Sequence, residues 1–548
     1  MKTDFRNSAA AIVVAAALLA FGCGGSGGNP SNGGTQPPFG SPPPAGLQVA
    51  FRDLDGATPA DAALGQPLTV NWTVPAGFTP SSITLVASVV AGPSTAQTQC
   101  QVSAGTIAAS ATSATITIPN TCQSRTVKQV ELRLTVDGTS GQRSTATHTF
   151  AAPASPEDFL PRRRNLPVMT ITTDNLAPIV SKEVYLSGQL VLESNVIGVA
   201  PVIGGTQIRG RGNSTWDLMP KKSYRIRLTD SNSLLDMPSS RHWVLLANHS
   251  DKTLLRNALA LKLGADIGMP WSPRSAFVEL YINNRYAGVY QLMENIRIAA
   301  NRVDIDELDE DDVAADVITG GYLLEVDFRR DGYTMDTATY DLPIVFQGPE
   351  EPAPAQEAYI RDYINQFETV LDSPDFANPT TGYAAYIDVD SFVRWFLVNE
   401  VFRNRDANMW TSCWMYKPRG GKLHMGPLWD FDIAAGNINY DDAFLTAGWW
   451  VRDAPWFSRL FEDPAFAARA REIWNEIRVA QLPQMMQSIR TRSAELQQAQ
   501  LNNFQRWPIL ESYVWPNYAV PGSHAAEVDY LETWLTARIA WMDSQFNP

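Results

Sequence analysis

The sequence predicts two folded units in series: an all-β sandwich of immunoglobulin-like type, then a two-lobed α+β unit, mainly β in its first lobe and mainly α in its second. Three observations carry this. Leu47 to Phe150 is filled by short runs that alternate apolar and polar residues, the period of half-buried strands. From about residue 167, strand words and helical periodicities mix, the strands first. A chain of 548 residues exceeds one ordinary core and suggests about two to four domains.

The chain opens with a segment to be set apart from the fold. Lys2 and Arg6 precede an apolar run from Ala9 to Phe21, so 1–23 reads as a secretory signal, too short to span comfortably as an anchored helix. The run ends in Leu19-Ala20-Phe21-Gly22-Cys23. That word resembles a bacterial lipoprotein box, which implies a lipid on Cys23 and a protein exported and anchored in the cell envelope, at the outer membrane or surface. Residues 24–46 are the matching Gly/Ser/Pro tether, stiffer at Pro42-Pro43-Pro44. A formal charge of −14 argues against a nucleic-acid partner, since a phosphate backbone would be repelled on average.

The sandwich is expected over 47–152. Leu68, Val70, Trp72 and Val74, then Val130, Leu132, Leu134 and Val136, mark inward faces, broken by turns such as Asp137-Gly138. Cys100 and Cys122, in one small region of an exported chain, are expected to form a disulfide. No cluster of acids, histidines or nucleophiles falls there, so the unit reads as a spacer or interaction domain. Residues 153–166, with Pro153, Pro156 and Pro161, are the linker to the second unit, 167–548.

In that unit Ile208 to Trp216 is a strand entering a turn of glycines and hydroxyls, with Arg209, Asn213 and Ser214 as candidate phosphate contacts. Ser223 to Leu228 alternates Tyr224, Ile226 and Leu228 against Arg225 and Arg227; Lys222 shares the apolar parity and could point inward to a ligand. Trp243 to Ala247 is another strand. Asp251 caps a helix through Leu261, and Phe277 to Ile282 and Ala287 to Met293 form a hairpin about Asn283-Asn284 that leads to Glu294. The acidic run Asp304 to Asp312 lacks the glycine and terminal Glu of a calcium loop and reads as a solvated turn. Tyr322 to Asp327 is a strand, and a Pro-rich connection follows. Phe392, Trp395, Phe396 and Phe402 recur at helical spacing behind Asp388, and this helix delivers Asp406. Helices are expected over 461–477, 484–498 and 528–546.

The chemistry gathers between. Asp406 follows the helix, and Asp430 and Asp432 follow a β-hairpin turning at Gly420-Gly421, so the chain leaves and returns with three carboxylates. Such a set either binds a divalent cation or divides into a base and a metal ligand. Cys413 beside it reads as a lone buried thiol. With five His and none in a ligand-like pair, no zinc set or Ser-His-Asp triad competes.

The order of parts is that of a bilobal protein-kinase-like fold. The words Arg209-Gly-Arg-Gly-Asn-Ser-Thr-Trp, Lys221-Lys-Ser-Tyr-Arg-Ile, Trp243-Val-Leu-Leu-Ala-Asn, Leu255-Arg-Asn-Ala-Leu-Ala and Gly426-Pro-Leu-Trp-Asp-Phe-Asp together resemble the spore coat protein H (CotH) kinase family over about 167–545. The resemblance implies transfer of phosphate from Mg-ATP to Ser or Thr of an exported protein. It implies Asp406 as catalytic base and Asp430 as main Mg²⁺ ligand with Asp432 beside it. Lys222 would contact the nucleotide phosphates, and Glu294 would lie at the lobe hinge. Two departures are visible: the helix after Asp251 has no Glu to pair with Lys222, and the second-metal position falls near Thr411 or Ser412 rather than on an Asn. The rival expectation is a surface adhesion or scaffold protein that keeps the fold without transfer.

Overall fold

The computed structural model describes residues 47–52, 67–91, 97–117, 127–151, 165–196 and 199–548. The expected signal, tether, lipid-bearing Cys23 and Cys122 lie outside these residues, as does most of the linker. Among the described residues no helix is long and apolar enough to cross a membrane.

The first unit has seven strands: β1 (Gln48–Arg52), β2 (Pro67–Thr73), β3 (Pro80–Ala91), β4 (Gln97–Ser103), β5 (Ser113–Thr117), β6 (Val127–Gly138) and β7 (Arg143–Ala151). They form two antiparallel sheets, β1-β2-β5 and β4-β3-β6-β7. Val70 and Trp72 of one sheet and Leu85, Leu132 and Leu134 of the other share one core, so the alternation read from the sequence is the packing of two facing sheets.

The second unit begins with β8 (Val168–Thr173), β9 (Leu186–Glu193), β10 (Val202–Arg211), β11 (Ser223–Leu234), β12 (Met237–Leu246), β13 (Ser275–Ile282) and β14 (Arg285–Glu294). These close into a barrel in the order β10-β11-β12-β14-β13-β8-β9. Every pair is antiparallel except β8 with β13. Asn283 and Asn284 take φ of 49° and 64°, which makes the expected two-residue hairpin turn. Tyr224, Ile226 and Leu228 fill the barrel with Trp243, Leu245, Val278 and Leu292. The outer faces divide. Val244, Leu246, Phe277, Val289 and Met293 turn outward into the larger core shared with the following helices, whereas Arg225 and Arg227 turn outward into a cleft.

Helix α1 (Arg256–Asp266) crosses beneath the barrel. Asp251 accepts from the Arg256 N–H at 2.9 Å, capping the helix from five residues upstream, and pairs with the Arg256 guanidinium at 2.5 Å, both side chains fully buried. The expected mainly α lobe proves more mixed. It contains a five-stranded sheet, β16-β17-β15-β18-β19, of β15 (Tyr322–Val326), β16 (Thr334–Asp336), β17 (Pro343–Gly348), β18 (Cys413–Lys417) and β19 (His424–Met425). The Pro-rich connection ends in a helix, α2 (Pro354–Leu371), with Pro354 in its first turn. Then come α3 (Val389–Phe402), whose N-terminal Ser391 N–H is capped by Asp388, and α4 (Pro464–Ile477), α5 (Gln481–Glu495), α6 (Gln497–Arg506) and α7 (His524–Phe546). The acidic run after Asp304 is a mostly exposed turn, as expected.

Candidate functional site

A wide polar cleft runs between the outer face of β10 and β11 and the end of the five-stranded sheet. Its floor holds the acids. Arg403 leaves α3 in the left-handed region at φ 42°, which turns the chain into a single tight helical turn carrying Asp406. Asn404 links the two acid loops: its side-chain oxygen accepts from the Asp406 N–H at 3.4 Å and its amide donates to the Asp430 carbonyl at 3.2 Å. The hairpin β18–β19, turning at Gly420-Gly421, spaces the loops as the sequence suggested. Asp430 itself has φ 61°, a conformation held by its surroundings: Asn257 of α1 accepts from the Phe431 N–H at 2.8 Å. Asp432 accepts from the Ser250 hydroxyl at 3.3 Å.

Two further acids enter at the end of β15. Glu325 lies on the strand and Asp327 just beyond it, and both line the cleft. Asp327 accepts from Thr411 Oγ1 at 2.8 Å, and Gln347 donates to Glu325 at 2.8 Å. Sequence reading missed them because an acid in a strand word looks like a solvent-facing residue. The signal was that Leu323, Leu324 and Val326 are apolar on both parities, which makes the strand buried on both faces and leaves Glu325 nowhere to be solvated.

Crowding shows in the electrostatics. Burial, then the Asp430 charge, pushes the Asp406 carboxyl up to about 6, against Arg405 and Arg329. Burial, then Asp327 and Asp430, pushes Glu325 up to about 8. Asp432 is raised well above the ordinary range by burial and by Asp430, Asp251 and Asp406. The opposing cation is Arg211, at the end of β10, stacked 5.0 Å over the Trp429 ring and lowered to about 10 by burial despite Asp430, Glu325 and Asp432. Acids that disfavour one another's ionised form are relieved by a cation.

The predicted residues divide. Arg209, Asn213, Ser214, Asp406, Ser412, Asp430 and Asp432 all line the cleft. Lys222 and Glu294 do not. Lys222 does share the apolar parity, but on β11 that face is the barrel interior and the face that lines the cleft is the other one. Its ammonium donates to the Trp216 carbonyl and lines a small separate pocket with Arg285 and Arg506. Glu294 is fully buried, held by Arg274 at 2.8 Å and Arg302 at 2.6 Å. Lys221 is also buried, donating to the Ala247 carbonyl and to Asn503 at 2.8 and 2.9 Å. Apart from Lys182, the cations lining the cleft are arginines.

Among the described residues no three His, Cys, Asp or Glu side chains stand close enough to cage a metal. Asp430 and Asp432 fit the mode usual for Mg²⁺, in which one or two carboxylates are completed by water and substrate phosphates.

The fold sets a basic barrel wall opposite a nest of carboxylates across one cleft. The family model described as CotH kinase protein matches residues 208–542, more than half of the chain, and the chain belongs to that family. No curated protein matches it significantly. Among solved structures it is similar to the crystal structure of Spo0M, the sporulation control protein from Bacillus subtilis. That similarity has 11% identity and a TM-score of 0.16, over 34% of this chain and 79% of the other, too low a score to argue from.

Proposed function

We propose that this protein is a cell-envelope kinase of protein-kinase-like fold that transfers phosphate from Mg-ATP to Ser or Thr of exported proteins. The observation that carries it is the meeting of Asp406 and Asp430 across Asn404, opposite Arg211, in a chain of the CotH kinase family. Asp406 is the base: it takes the proton of the acceptor hydroxyl as that oxygen bonds to the γ-phosphorus, the bond to the β–γ bridging oxygen breaks, and ADP leaves. A carboxyl raised to about 6 is ionised at neutral pH and more basic than an ordinary aspartate. Asp430 and Asp432 would hold Mg²⁺, with Ser412 at the second-metal position, and that ion neutralises phosphate charge. Arg209, Asn213 and Ser214 at the barrel end would contact the nucleotide. The immunoglobulin-like sandwich and a lipid on Cys23 would carry this catalytic unit at the bacterial surface or outer membrane.

The test is transfer of labelled phosphate from Mg-ATP to the protein itself or to a generic serine-rich acceptor, with Asp406→Asn as the comparison. The reading predicts labelling by the wild type and a loss of two or more orders of magnitude in the variant. An unlabelled wild type that still performs adhesion, unchanged by Asp406→Asn, would favour the scaffold role.

A further inference from the structure

The basic wall of the cleft extends well beyond the acids it faces. Arg211 pairs in register with Ser223, and Arg227 lies four residues further along β11, roughly 13 Å away at strand rise. Between them Arg209 and Arg225 sit directly opposite across the ladder, a like-charge pairing that costs stability unless something negative lies over it. At the far end Arg227 is in register with His242 of β12, and Arg297 follows β14 into the same cleft.

This end is short of negative partners. The Nε atoms of Arg209, Arg225 and Arg227 are buried with no hydrogen-bond partner. Arg209 has an exposed ion-pair partner in Glu183 at 3.5 Å and also donates to the Lys182 carbonyl. Arg225 has the Tyr185 hydroxyl and the exposed Glu350 on the rim. His242 is pushed down to about 4 by burial and by Arg297, Arg227, Arg225 and Arg241, which places four guanidinium charges around one ring. A buried guanidinium N–H without an acceptor is costly, and a planar fork of donors matches a tetrahedral oxyanion.

We propose that Arg225, Arg227, Arg297 and His242 form an oxyanion subsite, distinct from the carboxylate end of the cleft, that takes a phosphate or phosphoester group. The choice of phosphate rests on the phosphotransfer reading; the positive wall does not. The phosphate would be one already present on the acceptor, since the nucleotide's own polyphosphate is proposed to lie with Mg²⁺ at the carboxylate end.

The experiment is calorimetric titration of inorganic tripolyphosphate, without metal, into the full chain and into the Arg225→Gln/Arg227→Gln double variant. The expected result is salt-sensitive binding by the wild type, weakened at least tenfold in the double variant, with a melting temperature no lower than wild type because a cross-strand repulsion has been removed. Should that variant misfold, Arg297→Gln, outside the ladder, replaces it with the same expectation of weakened binding. Equal affinity in wild type and variants, or no binding to the wild type, overturns the subsite. Competition between tripolyphosphate and Mg-ATP would put the anion at the nucleotide site and overturn a separate subsite, and simultaneous binding supports one that receives a phosphate on the acceptor. Tripolyphosphate binding without Mg-ATP binding would sink the phosphotransfer reading alone, and Mg-ATP binding without tripolyphosphate binding would sink the subsite alone.

Discussion

Asp406 carries a prediction whose sign follows from its surroundings. Burial and Asp430 raise its pKa from 3.8 to about 6, so the proposed base would be protonated and idle in acid. Transfer should climb about tenfold per pH unit below 6 and level off above it. The stability effect has the opposite sense. A carboxyl with a raised folded pKa contributes stability that is present below its unfolded value and lost as pH rises through the folded one. Asp406→Asn should therefore stabilise the ligand-free protein at pH 8 by up to about 3 kcal/mol and much less at pH 4, while abolishing transfer. Thermal melts at the two pH values check this. A variant destabilised equally at both would mean that Asp406 is held by a partner rather than strained by burial.

Elements set where these residues stand, and here sequence and structure part company instructively. The alternation on β11 was legible, and so was the parity of Lys222. What a single strand cannot tell is which of its faces meets ligand, because that depends on closure of the barrel: the apolar face turned inward to Tyr224 and Ile226, and the arginine face became the wall. Likewise Asn283-Asn284, Asp388 and the Gly420-Gly421 turn announce their local structures, since each acts over a few residues. The sheet that brings Glu325 beside Asp430 joins β15 to β18 across some ninety residues, and no local pattern encodes that pairing. The helix that leads to Asp406, α3, is anchored from the far end of the chain. Arg538 of α7 and Glu400 of α3 form an ion pair with both side chains fully buried, and Glu400 also accepts from the Trp450 and Arg452 N–H groups at 2.9 Å. Truncating one partner leaves a buried charge, so Arg538→Ala should cost about 3–5 kcal/mol. Chemical denaturation measures it; a cost below about 1 kcal/mol would show that the pair is not what fixes α3.

Across the whole molecule, an all-β stretch stands ahead of a mixed one, and the words from Arg209 to Asp432 identified the family. Among the described residues the two have separate cores: no residue of the sandwich core belongs to either core of the second unit. Calorimetric unfolding should show two transitions, and Mg-ATP should raise only one of them. The proposed function requires the carboxylate end of the cleft to bind nucleotide through Mg²⁺. Titration of ATP into the full chain with and without Mg²⁺, on wild type and Asp430→Ala, measures this. Mg²⁺-dependent binding by the wild type and loss of that dependence in the variant are expected. Binding of equal strength in all four combinations, or in none, would contradict it.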